Sequence, residues 1–84
     1  MTQDYEQLRL QLAENIRLIR RVKNLTQEQL ALMAEVDRTY VSQIERGVGN
    51  PSLLVLCKIA NIFEITTDQL LVDPDTLRSS LHVK

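Results

Sequence analysis

The side chains best placed to do chemistry in this chain lie in EVDRTYVSQIERG, residues 35–47. At 100° per residue, Arg38, Thr39, Ser42, Gln43 and Arg46 fall on one side of a helix, with Tyr40, Val41 and Ile44 on the other. The first set is a contiguous stripe of hydrogen-bonding groups. A merely solvated face is usually filled with strong helix formers such as Glu, Lys and Ala, whereas Thr and Ser have weaker helix propensity. The stripe is therefore either the wet side of an amphipathic helix or a surface kept for a partner to read, and the residues around it must decide between the two.

Catalytic chemistry is not evident elsewhere. The only His, His82, lies near the end of the chain, and Cys57 sits between Leu56 and Lys58 with no base in sequence view. The carboxylates are scattered as surface charges or caps, and Gly occurs only twice, leaving no glycine-rich phosphate loop. One Cys forms no internal disulfide, and with one His there is no zinc-ligand spacing, so neither metal nor cofactor is expected. Cys57 reads as a packing residue. The start, MTQDYEQLRL, carries acids and Gln where a secretory signal would be basic and then apolar, which implies a cytoplasmic chain. No apolar stretch approaches membrane-spanning length, and no small-molecule ligand is indicated.

With 84 residues, 44% of them apolar and 25% charged, one soluble domain with a single core is expected. There is no Trp and little aromatic content, so the core must be aliphatic, which favours packed helices. A net charge of −1 provides no global basic field for nucleic acid. Arg17, Arg20, Arg21 and Lys23 nevertheless form a local positive edge free of acids, while Asp68, Asp73 and Asp75 lie towards the other end.

The elements that must position the stripe follow from periodicity and caps. Leu8, Leu12, Ile16, Ile19 and Val22 mark a first helix ending near Lys23 and Asn24. Thr26 opens a second with the capping box TQEQ, running to about Ala34 with Leu30 and Ala31 inward. Asp37 is the expected N-cap of the third, and so short a connection forces a steep helix-turn-helix angle. The third helix ends at Gly47, the loop VGNPS follows, and Ser52 caps a fourth helix whose core face is Leu56, Ile59, Ala60 and Phe63. A second box, TTDQ at 66–69, predicts a short fifth helix carrying Leu70 and Leu71. The expected domain is residues 1–74, with the helix-turn-helix at about 26–46. Residues 75–84 are read as a loosely held or partner-dependent tail.

LTQEQLALMAEVDRTYVSQIERGVGNPS resembles the helix-turn-helix of the Cro/CI-type, or XRE-like, phage repressor family. Gln27, Leu30-Ala31, Val41, Ile44-Glu45, Gly47 and Asn50-Pro51-Ser52 all fall on that family's pattern, which spans residues 8–72. Within the family, DRTYVSQIERG is most similar to the controller proteins of restriction-modification systems. The resemblance implies an all-α, five-helix, lambda-repressor-like domain that places its third helix in the DNA major groove. It implies that Arg38, Thr39, Ser42 and Gln43 face base edges, and that Gln27, Arg46 and Asn50 hold phosphate, with Arg17 of the positive edge beside them. Arg suits guanine O6 and N7, and Gln suits adenine. Many members have Gly at the tight turn where this chain has Glu35, which costs about 1 to 2 kcal/mol if that residue turns left-handed.

Arg20 and Glu45 flank the core sides of the first and third helices and are expected to pair, a reading the resemblance shares. Val55, Ile62, Ile65, Leu71 and Val72 are the apolar residues left once a monomer core is filled, and are assigned to a homodimer interface. The function expected is sequence-specific transcription regulation, a homodimer on a near-palindromic double-stranded DNA operator. The rival is an antitoxin-like protein-interaction module, supported by Leu54 and Val55 taken as exposed.

Overall fold

The computed structural model describes residues 4–81, and these form α1 (Tyr5–Val22), α2 (Gln27–Ala34), α3 (Arg38–Glu45), α4 (Leu53–Phe63), a 3₁₀ turn (Thr67–Leu70) and α5 (Pro74–Leu81). Among the described residues there is no strand. His82 lies outside them.

Helix starts follow the caps. Asp4 Oδ1 accepts the Gln7 N–H at 2.7 Å, and Ser52 Oγ accepts the Val55 N–H at 3.2 Å. At α2 the capping box is complete: Thr26 Oγ1 accepts from Gln29 N–H at 3.0 Å, and Gln29 Oε1 accepts from Thr26 N–H at 2.8 Å. Asp37 occupies the N-cap position of α3, but its side chain makes no cap hydrogen bond there.

Helices α1, α2 and α4 end in the same way. Asn24, Glu35 and Glu64 adopt φ of 59°, 62° and 62°, in the left-handed region. Their N–H groups donate to Arg21, Leu32 and Asn61, and the next residues, Leu25, Val36 and Ile65, donate to the carbonyls of Arg20, Ala31 and Ala60 at 2.9, 2.9 and 3.0 Å. This is the Schellman pattern without glycine. Leu25, Val36 and Ile65 all pack against the core, so apolar burial offsets the strain of the preceding residue. Reversing the chain within one residue is what lets α3 follow α2 after only three residues.

The core is the meeting place of Leu12, Ile16 and Ile19 from α1, Leu30 from α2, Val41 and Ile44 from α3, and Ile59 and Phe63 from α4. Helix α2 packs on α3 and α4, while α1 packs on α3, the 3₁₀ turn and α5. Val22, expected on the core face of α1, is 45% exposed because the helix ends there and the core has already turned away.

The C-terminal part departs from expectation in two ways. The TTDQ box does reach back, with Gln69 Oε1 accepting the Thr66 N–H at 2.9 Å, but it opens a 3₁₀ turn rather than an α-helix. Of the segment expected to be a loosely held or partner-dependent tail, residues 75–81 belong instead to α5. Leu77 is buried, and Arg78 donates to Glu14 at 2.6 Å, a bond that holds the guanidinium more firmly protonated than usual. Two apolar residues were too few for a periodicity, yet Leu77 and Leu81, four residues apart, both pack against the core. Asn15, not singled out by any sequence pattern, is fully buried and donates to the carbonyls of Leu70 and Val72 at 2.9 and 2.8 Å. With Gln11 donating to Leu71 at 2.9 Å, it fastens the chain leading into α5 onto α1.

Candidate nucleic-acid interface

Helix α3 is held by its apolar and acidic side and presents the other. Val41, Ile44 and Glu45 are buried; Arg38, Thr39, Gln43 and Arg46 are exposed, and Ser42 is half-buried. Asn50, in the loop before α4, is exposed as well. The side chains expected to meet base edges therefore share one outward surface, carrying the cations of Arg38 and Arg46.

Glu45 is the hub behind that surface. It is 2% exposed, and Arg20 donates to it twice, Nε to Oε2 at 2.7 Å and NH2 to Oε1 at 3.1 Å. Two parallel charge-assisted bonds from a planar fork fix both partners. Arg20 NH1 also donates to the Leu25 carbonyl at 2.8 Å, so the same side chain secures the α1–α2 connection. Arg17 donates to the backbone carbonyl of Glu45, which commits one of its nitrogens to the end of α3. It thus supports α3 as well as lining the positive edge.

Gln27, at the start of α2, makes a contact that its place in the sequence did not announce. Its Nε2, the group that would grip a phosphate, donates to Glu45 Oε1 at 3.0 Å, and its Oε1 faces Arg38 NH1 at 3.5 Å. Sequence reasoning assigned Gln27 by its place at the start of α2 and had no means of seeing a buried carboxylate drawing the amide inward.

The far end of α3 is closed tightly. Gly47 has φ +73°, a left-handed conformation that calls for glycine, whereas a Cβ there would meet only the movable end of the exposed Leu10 side chain. The N–H groups of Val48 and Gly49 both donate to the Gln43 carbonyl at 3.1 Å. The Tyr40 hydroxyl accepts the N–H of Ser52 at 3.0 Å and ties α3 to the start of α4. Sequence reading placed Tyr40 with the apolar side and missed this bond, for which its half-buried, amphipathic character was the only available signal.

A family profile described as helix-turn-helix, HTH_3, matches residues 16–70, which include both α2 and α3. This chain belongs to the helix-turn-helix family. The Neisseria hypothetical transcription factor from Neisseria meningitidis is 42% identical over 71 residues, covering 84% of this chain and 67% of that protein. Its crystal structure superposes with a TM-score of 0.80 at 40% identity, covering 96% of this chain and 93% of the other. The control protein C.SmaI of Serratia marcescens is 40% identical over 60 residues, 71% of each chain. The restriction-modification controller protein C.AhdI from Aeromonas hydrophila matches in structure with a TM-score of 0.71 at 35% identity, covering 74% of this chain and 94% of the other. The helix-turn-helix chain is thus an all-α, non-enzymatic, sequence-specific DNA-binding transcriptional regulator with controller proteins among its relatives. No helix among the described residues is long and apolar enough to cross a membrane.

Of the residues assigned to a dimer interface, Val55 must be withdrawn. It is 8% exposed and packed in the monomer core, because α4 turns it inward beside Leu56. Ile62, Ile65, Leu71 and Val72 are half-buried at the core margin and keep apolar surface. Leu53 and Leu54, at the start of α4, are exposed, at 71% and 65%.

Proposed function

We propose that this protein regulates transcription in the manner of a restriction-modification controller, as a homodimer on a near-palindromic DNA operator, with α3 in the major groove. The observation that carries the reading is the outward polar stripe of Arg38, Thr39, Ser42 and Gln43 on a helix whose opposite side is locked into the core. Arg46 and Asn50 flank it as phosphate contacts. Two copies related by a twofold axis would enter successive major grooves about 34 Å apart, which sets the half-site spacing. The half-buried Ile62, Ile65, Leu71 and Val72 support self-association, since a second copy would remove from water the apolar surface the monomer leaves at its margin.

A gel shift against the DNA upstream of its own gene tests the reading, with sedimentation to determine the state of assembly. Failure to discriminate that DNA from random duplex would refute it. A second reading, a module that mainly caps another protein, is favoured by the exposed Leu53–Leu54 pair, and that outcome would bring it forward.

A further inference from the structure

The first half of α1 and the start of α4 enclose a cleft of about 160 Å³, lined by Leu8 and Leu12 of α1, Leu56 of α4 and Leu71. Asn50 and Pro51, from the loop that follows α3, also line it, as do Tyr5 and Arg9. An apolar cavity of about 150 Å³ is enough for a benzene-sized body. The cleft therefore has room for one ring or a short branched chain, and leucines to take it out of water. Arg9 is the group left over. Its Nε is buried and has no hydrogen-bond partner among the described residues. Its NH2 lies 3.8 Å from Glu6 Oε1, but that carboxylate is 80% exposed and the contact is too long to hold the guanidinium. The Tyr5 ring, 5.2 Å from Arg9 Cζ, steadies the cation without neutralising it. A buried donor left unmet is costly, and a carboxylate meets a guanidinium best, through two parallel bonds.

We propose that this cleft binds a small carboxylate with a compact apolar body, the body among the leucines and the carboxylate on Arg9, and that its occupancy weakens DNA binding. Arg9 takes no part in the core, in the Arg20–Glu45 pair or in the stripe of α3. A neutral apolar molecule would cover the leucines and leave Nε unmet. An inorganic anion would meet the charge and leave the leucines wet. A molecule with both ends satisfies the cleft. The effect on DNA rests on the reading of Asn50 as a phosphate contact. Asn50 lines the same cleft as Arg9, so the bound carboxylate cancels a cation beside that contact. It also brings negative charge towards the phosphate, within the roughly 10 Å over which salt leaves charges in touch. By linkage, ligand and DNA then weaken each other's binding by the same factor.

The probes are phenylacetate and its neutral isostere phenylacetamide, titrated into the full chain at constant ionic strength and followed by amide NMR spectra. Phenylacetate should bind saturably with a Kd on the order of 1 mM or tighter, in line with a ligand of about ten heavy atoms. It should shift the amides of Leu8, Arg9, Asn50, Leu56 and Leu71. Phenylacetamide should bind at least about tenfold more weakly, having lost the charge-assisted pair. Arg9→Gln should bring phenylacetate to the level of the amide and leave amide binding unchanged. Arg9 is half-buried and makes only the loose Glu6 contact, so the variant is expected to fold, which urea titration checks. On the duplex that the wild type selects from a randomised pool, saturating phenylacetate should lower affinity at least about fivefold. Phenylacetamide, or phenylacetate with Arg9→Gln, should not. If the two probes bind equally, or Arg9→Gln keeps the preference for the carboxylate, the site is overturned. If neither binds, it is overturned too, and cleft amides that move on diluting the protein alone would show a second copy in its place. Binding of phenylacetate with DNA affinity unchanged overturns the coupling. If the wild type selects no duplex, the reading of the protein as a DNA-binding controller fails, while the titration without DNA still decides the site.

Discussion

Replacing Arg20 with methionine removes the partner of a carboxylate that is only 2% exposed. Glu45 then loses the bonds at 2.7 and 3.1 Å and retains only the Gln27 amide at 3.0 Å. Hydrogen bonds to charged groups contribute about 1.5 to 3 kcal/mol each, and stranding one partner of a buried pair costs about 3 to 5 kcal/mol, so the two estimates agree. A domain of this size has roughly 4 to 13 kcal/mol of total stability, so Arg20→Met should remove a large share and lower the melting temperature by more than about 12 °C. Glu45→Met should also be costly, because it strands Arg20, which is 13% exposed. The double variant strands no charge and should cost much less than the sum, with a coupling of at least about 2 kcal/mol. Urea denaturation of the four proteins measures the cycle. Additive losses, or an Arg20→Met cost below about 1 kcal/mol, would refute the account, since the pair would then be no more than a surface contact.

Glu35→Gly should stabilise the fold by about 1 kcal/mol, because glycine adopts φ 62° without the Cβ penalty and the Lys58 contact it loses, 3.5 Å long and on an exposed carboxylate, is weak; a lower melting temperature would contradict this. Asn15→Leu leaves the buried-side carbonyls of Leu70 and Val72 without donors and should cost about 1 to 3 kcal/mol for each group that water cannot reach. Hydrogen exchange should show the loss first in the 3₁₀ turn and α5, and uniform loss across all helices would argue against Asn15 as their fastening. On the proposed operator, Arg38→Ala should lose about 1 to 3 kcal/mol and flatten preference at one base position per half-site. Arg46→Ala, by contrast, should weaken selected and random DNA alike and reduce the slope of log affinity against log salt by about one per contact; isotherms at several salt concentrations separate the two behaviours.

Much of the candidate site could be read from the residues because helix periodicity and capping are local. The stripe Arg38, Thr39, Ser42, Gln43 follows from angular spacing alone, and Thr26, Gln29 and Ser52 make the cap bonds their types predict. The Arg20–Glu45 contact could be expected because each residue flanks the inward face of its own helix. What could not be read is anything set by the far side of a contact. Val55 looks like a surplus apolar residue until the packing of α4 shows its side chain in the core. Gln27 looks like a free polar residue at a helix start until Glu45 is seen beneath it.

The sequence by itself determined where α2 and α4 begin, since a cap needs only residues three apart, and which face of α3 stays wet. The tertiary structure alone decided that Asn15 and Gln11 would hold residues 70–72, that Leu77 and the Arg78–Glu14 contact would make a helix of the last described segment, and that Gln27 would turn its amide inward. In each case the partner lies 18 or more residues away in the chain. The orientation of a polar side chain depends on which donor or acceptor faces it across the core, and no local pattern carries that information.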